Sequence, residues 1–319
     1  MLSWESPRIN FRVRCTKGTT CGRSLRPGPQ ARPRCPPLDA PPDPLGPARR
    51  RPGPHVAAAR RDGRRPAARR AHPRGRSHRH RMTPSLHLAI GAFDGVHLGH
   101  RAVLRSARAA ARADGGLVGV LTYEPHPSKV LRPAAPVPLI FTRAQKDERL
   151  TEAGAQLIHH ENFDRAHAAI EAADFPAWLQ RTFPRLRSLH VGANFQYGRG
   201  RTGRGETLVA HGAARGLEVR LVAAVQLGAE TVSSSRIRQA LGEGDLGLAN
   251  AMLHRPYESE GVILGGRRLG RTLGFPTVNV PWEPELRPAF GVYAVEVVFR
   301  GEALPAVANY GLRPTVESG

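Results

Sequence analysis

The chain of 319 residues contains no apolar stretch that approaches the ~20 residues needed to cross a bilayer. Charged and polar side chains interrupt the segment that follows Met1, so it does not resemble a secretory signal. Cysteine is scarce too: Cys15, Cys21 and Cys35 all lie far upstream of the patterned part of the chain. We therefore expect a cytoplasmic protein that makes no use of a membrane.

Residues 1–81 differ in composition from the rest of the chain. They hold 20 arginines and one lysine but four acidic residues, and 14 of the 29 prolines. Runs of this kind show neither a helical nor a strand period and bury too little apolar surface to offset chain entropy, which predicts a disordered arm. The arm could be an unspecific nucleic-acid-binding tail, although it lacks interleaved aromatic residues. It could also be a transit peptide, although its prolines would break the required helix. We favour a third explanation, translation from Met82, because Met82 stands immediately before the first patterned segment.

The segment 91–100 reads G-A-F-D-G-V-H-L-G-H and follows the apolar run 86–90. Apolar residues then recur at helical spacing, so a helix should begin near residues 96–98 with His97 and His100 in its first turn. Unpaired N–H groups and the helix dipole favour a phosphate there. The glycines let the phosphate approach the chain, and the two imidazoles can donate to its oxygens. The candidate binding residues beside the histidines are Gly91, Phe93, Asp94, Gly95 and Gly99.

Two other interpretations of the histidines remain open. His97 and His100 could be ordinary surface residues of an amphipathic helix, although the preceding F-D-G and strand make the pattern more restrictive. A zinc site is the weaker alternative, because two histidines at this spacing need further ligands and every cysteine is far away.

Strands and helices alternate between residues 86 and 223, which predicts a mainly parallel, doubly wound sheet. Ligands should gather beyond the carboxyl ends of its strands. Thr142 and Gln145 form a capping-box pattern that should open a helix to about residue 153. Further strands are expected at 117–123, 156–159, 188–191 and 217–223, and further helices over 163–183 and near 207–215. From residue 257 the pattern changes to short strands, at 261–264, 291–299 and 304–309, as in a small β-barrel.

Two further segments carry candidate binding residues. In V-S-S-S-R-I-R, at 232–238, the serines can cap a helix and bond phosphate oxygens, and Arg236 or Arg238 can neutralise a triphosphate. The alternative is a capped helix with solvent-facing arginines. In V-G-A-N-F-Q-Y-G, at 191–198, Asn194 can bond a ribose or a base edge, or the segment can be a plain surface loop.

Together these motifs resemble the bacterial bifunctional enzyme that joins riboflavin kinase to FMN adenylyltransferase (FAD synthetase). The resemblance runs from Met82 to Gly319 and includes the turn Glu124, Pro125, His126 and Pro127; Ser235 stands where the family more often has Thr. It implies that His97 and His100 bind the α- and β-phosphates of ATP and that Ser234 and Arg236 bind the departing pyrophosphate. Ser235 and Arg238 are further expected ATP-binding residues. Asn194 would then hold the nucleoside and the turn 124–127 would frame the flavin.

The segment 265–279 resembles the riboflavin kinase module. The resemblance implies that Thr277 and Asn279 contact Mg²⁺ and ATP phosphates, with Gly270 and Arg271 over the nucleotide; oxygen ligands suit this hard cation. Without that resemblance, the segment would read equally well as a β-turn leading into a strand. The family continues past Arg313–Gly319 with further strands and a glutamate base that Glu317 does not match. We therefore expect either that the sequence is a fragment or that this kinase module is incomplete and inactive.

The expected organisation is a disordered arm over 1–81, a Rossmann-like nucleotidylyltransferase domain over 82–254 and a partial β-barrel over 255–319. ATP, FMN and riboflavin are the expected substrates, with Mg²⁺ and without a specific nucleic-acid partner. A different nucleotidylyltransferase that uses H-x-G-H is one alternative function. A basic nucleic-acid-binding protein, suggested by the net charge of +22, is the other. The oligomeric state is left open.

Overall fold

A computed structural model describes residues 10–19, 83–262, 277, 279, 280, 282, 284–299 and 301–311 of the protein. The strands are β1 Asn10–Thr19, β2 Leu86–Ile90, β3 Leu117–Glu124, β4 Leu157–Asn162, β5 Leu186–Gly192, β6 Gln196–Tyr197, β7 Gly203–Arg204, β8 Glu218–Val222, β9 Gln226–Leu227, β10 Glu230–Thr231, β11 Tyr257–Val262, β12 Gly291–Phe299 and β13 Glu302–Tyr310. The helices are α1 Leu98–Asp114, α2 Pro127–Leu131, α3 Arg143–Glu152, α4 Arg165–Ala168, α5 Phe175–Thr182, α6 Gly205–Ala213, α7 Ser234–Glu243 and α8 Leu246–Leu253.

A five-stranded parallel sheet forms the centre of the α/β half, in the order β4-β3-β2-β5-β8. All five residues of β2 are buried, as expected for a strand with neighbours on both edges and helices on both faces. The chain leaves β2 in one direction to β3 and β4 and later returns to β5 on its other side. This order confirms the predicted doubly wound sheet and puts its topological switch point between β2 and β5.

Each face of this sheet has its own hydrophobic core. On one face Leu121 and Leu189 pack with Leu179 of α5 and Leu208 of α6. On the other, Val103, Leu104 and Ala107 recur at helical spacing along α1 and are buried with Val120 and Leu150. Removal of this apolar surface from water stabilises the sheet and fixes the position of α1, whose first turn holds the two candidate histidines.

The segment 163–183, which was predicted to be largely helical, contains two short helices, α4 and α5, and Pro176 lies in the first turn of α5, where proline is favoured. Helix α8 was not expected at all. It is eight residues long and almost wholly apolar, so it shows no helical period; Asp245 caps it by accepting a hydrogen bond from Leu248 N at 2.9 Å.

The C-terminal half contributes three strands to an antiparallel sheet whose order is β11-β1-β12-β13. Strand β12 has the predicted bounds, and β13 extends the predicted strand by a few residues. Strand β1 pairs with both β11 and β12, so the expectation of a disordered arm is wrong for residues 10–19. The rest of residues 1–81 lies outside the described part of the chain, and the start at Met82 stays a prediction.

Strand β1 has a local sequence pattern that differs from the average composition of residues 1–81. Residues 11–15 alternate apolar and charged side chains, which is the period of a strand. In the observed register Arg12 is opposite Glu260, and Arg14 is opposite Glu258 and Glu296. The alternation within residues 11–15 is therefore the local signal for this strand.

A third hydrophobic core spans the expected domain boundary between residues 254 and 255. Leu241 of α7 and Leu253 of α8 are buried together with Tyr257, Tyr293 and Ile140. A buried ion pair between Arg149 and Glu258 lies in the same region. The two halves therefore share a packed interior across residues 254 and 255. The domain boundary at this point stays a prediction. Among the described helices, none is long and apolar enough to cross a membrane.

Candidate active site

The loop 91–97 joins the central strand β2 to α1 at the carboxyl edge of the sheet. Phe93, Gly95 and Val96 have φ angles of 51°, 87° and 39°, which lie in the left-handed region. Only glycine adopts that region freely, and holding another residue there costs on the order of 1–3 kcal/mol. Packing overcomes this cost, since Phe93 and Val96 are 1% and 2% exposed. Backbone strain of this kind is concentrated at functional sites.

His97 and His100 stack on each other at the start of α1. Their ring centroids are 3.7 Å apart with an interplanar angle of 18°, and Phe93 packs on His100. His97 is the N-cap, and its Nδ1 accepts a hydrogen bond from His100 N at 3.4 Å. A Cβ on Gly99 would lie 3.1 Å from the His97 ring, so a larger residue at position 99 would require this ring to shift.

Both imidazoles are neutral near neutral pH. Burial, followed by the charge of Arg238, lowers the pKa of His97 to about 4. Burial and the neighbouring His97 hold the pKa of His100 well below its ordinary value. A neutral imidazole has one N–H to donate. His100 Nδ1 is buried and has no hydrogen-bond partner in the described part of the chain, so it has bonding capacity left for a ligand.

The N-terminus of α7 lies against the same loop. Ser233 caps the helix by accepting a hydrogen bond from Arg236 N at 3.2 Å, and Ser234 Oγ donates to the Asp94 carbonyl at 2.8 Å. The carbonyl of Val232 lies 3.7 Å from the Cβ position of Gly99. The structure thus brings the S-S-S-R segment to the G-x-F-D-G loop, and two helix N-termini, each favourable for an anion, meet there.

Asp94 and Arg238 bind each other across this junction. Their side chains are 2.5 Å apart, Asp94 Oδ1 also accepts from Ile140 N at 3.0 Å, and Arg238 Nε donates to Pro138 O at 2.8 Å. Burial raises the pKa of Asp94, and the Arg238 charge opposes that rise. In this geometry the pair holds the loop in place.

The remaining predicted nucleotide ligands lie at the rim. Arg236 Nε is 2.6 Å from Glu230 Oε2, in the hairpin formed by β9 and β10, and Ser235 is exposed. Asn194 is exposed too, in the turn that follows β5. Because β5 is next to β2, Asn194 is at the same edge of the sheet as the histidines, on the other side of the switch point.

A pocket opens beside the loop, on the side of β3. It includes the predicted flavin residues Glu124 and His126, whereas Pro125 and Pro127 are not among its lining residues. His126 caps α2 by accepting from Ser128 N at 3.2 Å, and burial lowers its pKa to about 4. The lining consists of Ala92, Asp94, Tyr123, Glu124, His126, Leu139, Phe141, Arg143 and Lys146.

Six of these residues were missed by sequence reasoning: Ala92, Tyr123, Leu139, Phe141, Arg143 and Lys146. The available signal was the capping box, which the structure confirms: Thr142 caps α3 and the Gln145 side chain accepts from Thr142 N at 3.0 Å. It placed Arg143 and Lys146 three residues apart in the first turns of a helix. That this helix packs beside the end of β3 is a tertiary fact that no local pattern contains.

The predicted kinase ligands are only partly described. Thr277 is exposed and Asn279 is half-buried in a β-bridge, while Gly270 and Arg271 lie outside the described residues. The hydroxyl and amide oxygens of Thr277 and Asn279 are donors of the type that Mg²⁺ prefers. In the described part of the chain no group of three or more His, Cys, Asp or Glu residues could hold a metal ion.

Comparison with known proteins gives matches for both halves of the chain. Family models described as FAD synthetase and riboflavin kinase match residues 80–236 and 253–319. A bifunctional riboflavin kinase/FMN adenylyltransferase from Escherichia coli K12 is 39% identical over 231 residues, 72% of this chain and 74% of the relative. Its counterpart from Bacillus subtilis is 34% identical, with 72% of each chain covered.

A solved structure described as a macrolide-efflux protein from Streptococcus pneumoniae superimposes with a TM-score of 0.67 at 28% identity. The superimposed region covers 74% of this chain and 76% of the solved chain. Both family matches and the 39% identical relative show that the chain belongs to the bifunctional riboflavin kinase/FMN adenylyltransferase family.

Proposed function

We propose that the α/β half transfers AMP from ATP to FMN, giving FAD and pyrophosphate. The observation that carries the proposal is the stacked, neutral pair His97 and His100 in the first turn of α1. This pair faces the N-terminus of α7 and adjoins a pocket with aromatic walls. The names of the relatives give the same two substrates.

In this mechanism an oxygen of the FMN phosphate attacks the α-phosphorus of ATP in line. The new phosphorus–oxygen bond forms as the bond to the β-phosphate bridge breaks, and pyrophosphate leaves with the bonding electron pair. The attacking phosphate is already deprotonated near neutral pH, so no strong base is required. Catalysis is then positioning and charge stabilisation.

Different residues of the chain have different roles in this mechanism. His97 and His100 donate hydrogen bonds to oxygens of the α- and β-phosphates, and the buried Nδ1 of His100 supplies capacity that the described residues leave unused. Arg236 exchanges Glu230 for the departing pyrophosphate, assisted by Ser234 at the N-terminus of α7. Asn194 holds the nucleoside from across the switch point.

The flavin occupies the neighbouring pocket. Tyr123 and Phe141 give that pocket aromatic walls of the kind on which a flavin ring stacks, and Glu124 and His126 supply polar edges. Tyr123 is itself held edge-on by Phe163, at a centroid distance of 5.4 Å. The pocket and the histidines share the loop 91–97, so the flavin's phosphate can reach the α-phosphorus.

The β half carries the second proposed reaction, in which riboflavin and ATP give FMN and ADP. Thr277 and Asn279 would hold Mg²⁺ through their side-chain oxygens. When bound, this ion would neutralise charge on the ATP phosphates. Gly270 and Arg271 would lie over the nucleotide.

One assay tests both reactions. The full chain is incubated with ATP and either FMN or riboflavin, and flavin products and pyrophosphate are separated and quantified. FMN-dependent release of FAD and pyrophosphate supports the proposal. Pyrophosphate release that follows a different phosphate acceptor, with no FAD from FMN, would show another nucleotidylyltransferase. FMN formed from riboflavin and ATP would support the second proposed reaction, and its absence would contradict that reaction.

A further inference from the structure

The pocket proposed for the flavin is lined in part by the loop 91–97, which we call the phosphate loop. Ala92 and Asp94 come from the loop between β2 and α1, and both line the pocket. The acceptor phosphate of FMN must therefore end beside these residues to reach the α-phosphorus. Neither histidine lines this pocket, so another group must hold that phosphate in position for attack.

Lys146 is the buried cation of this wall. Only 9% of the residue is exposed, and its Nζ donates to Thr122 Oγ1 at 3.3 Å. Thr122 in turn donates to the Ala92 carbonyl at 3.0 Å, so the ammonium is tied through one hydroxyl to the phosphate loop. The ammonium is thus placed next to the position where the acceptor oxygen must lie.

The charges around Lys146 leave it without a close ion pair. Among the described residues no carboxylate lies within ion-pair distance of Nζ, and Asp94 is already paired with Arg238. Burial lowers the pKa of Lys146, and the more distant Glu124, Asp147 and Asp94 oppose that shift. A buried ammonium is costly unless it is paired, and a phosphate is a suitable partner.

We propose that Lys146 binds the phosphate of FMN and positions its attacking oxygen, so that this site selects phosphorylated flavins over unphosphorylated ones. The inference rests on the proposed FMN adenylylation. A flavin ring without a phosphate gains nothing from Lys146, whereas FMN gains a charge-assisted hydrogen bond. Lys146 would also offset the repulsion between the phosphate and Glu124, which lines the same pocket.

The test compares two flavins in one pocket. Lys146→Met keeps the length of the side chain and removes the charge. The KM for FMN and for ATP is measured by FAD formation, together with the inhibition constant of lumiflavin, which has the flavin ring but no ribityl phosphate. We expect the KM for FMN to rise about 10- to 100-fold, the usual effect of losing a hydrogen bond to a charged group. The KM for ATP and the lumiflavin constant should stay unchanged, and Lys146→Arg should retain most of the FMN affinity.

Lys129→Met is the matched control, since Lys129 is a partly exposed lysine of α2 that pairs with Glu285 outside the pocket. It should leave every constant unchanged. Equal losses of affinity for FMN and for lumiflavin in Lys146→Met would show a merely structural role. A rise confined to the KM for ATP would show that Lys146 contacts the nucleotide instead. If Lys146→Met does not fold, Lys146→Gln, which can still bond Thr122, takes its place. The change in its KM for FMN is again compared with the change in its inhibition constant for lumiflavin. A wild-type chain that forms no FAD from FMN overturns the proposed function itself.

Discussion

At the scale of single residues, the two histidines are placed to donate hydrogen bonds and not to carry charge. Burial keeps both rings neutral, and the rings stack on each other at the start of α1. Pre-positioned neutral donors stabilise developing negative charge without any rearrangement during the reaction. This is consistent with a reaction that needs placement of two phosphates and no strong base.

Replacing His100 with alanine should remove one such donor. We expect kcat/KM for FAD formation to fall by the equivalent of about 2–4 kcal/mol, as for one pre-positioned donor. Steady-state kinetics with FMN and ATP measure the effect. His254→Asn is the control, because His254 is an exposed C-cap with φ of 57°, a conformation that asparagine tolerates. Near-wild-type rates for His100→Ala would refute the assignment.

Buried neutral histidines also make the fold sensitive to acid. The pKa of both His97 and His190 is lowered to about 4, mainly by burial, below the ordinary value of 6.5. Between these two values the unfolded chain binds more protons than the folded one, so stability falls as pH drops through this window. Each pKa unit corresponds to about 1.4 kcal/mol per group.

The loss of stability is measured by urea unfolding at about pH 7 and about pH 4.5. We expect the urea concentration at the midpoint of unfolding to be lower at the acidic pH. His97→Gln should lower the pH sensitivity, because glutamine cannot be protonated. An unfolding midpoint that does not change over this window would show that these rings are not held neutral.

At the scale of the elements, the site depends on the junction between a strand and the first turn of a helix. Gly99 illustrates this, since a Cβ there would press on the His97 ring at 3.1 Å. Gly99→Ala should therefore displace His97 and reduce FAD formation, with little loss of stability because alanine favours the helix.

Gly242→Ala is the matched control for this prediction. Gly242 lies in α7 with open space around its Cβ position, so alanine should stabilise the chain by about 0.5–1 kcal/mol without changing activity. FAD formation and thermal unfolding are measured for both variants. Equal activity of the two would mean that the stacked geometry of the histidines is not required.

The predictability of an element followed the strength of its local pattern. Strand β2, the capping box of α3 and strand β12 were predicted because their period or cap is encoded within a few residues. Helix α8 was missed because an almost wholly apolar segment carries no period. Strand β1 was missed because its alternation lies inside an arginine-rich arm whose average composition predicts disorder.

At the scale of the whole molecule, the N-terminal strand and the C-terminal half form one sheet. Arg12 of β1 is opposite Glu260 of β11, so Arg12→Glu would put two like charges together. We expect the backbone amides of β1 and β11 to exchange hydrogen faster in this variant. The double variant Arg12→Glu/Glu260→Arg should recover the protection.

Hydrogen exchange read out by mass spectrometry on the full chain measures both variants. Arg64→Glu, in the arm outside the described residues, changes the same charge and serves as the control. Unchanged exchange in Arg12→Glu, or protection that the double variant does not recover, would contradict the pairing of β1 with β11.

The sequence by itself determined the doubly wound sheet, the helix start at His97 and the family, because these depend on periods, caps and motifs within short segments. Only the tertiary structure decided which side chains meet. It paired Arg238 with Asp94, turned Arg236 toward Glu230 and brought Lys146 to the wall of the flavin pocket. The physical reason is that a side chain's partner is set by packing between elements distant in the chain, where burial and charge select one pairing among several that the sequence allows.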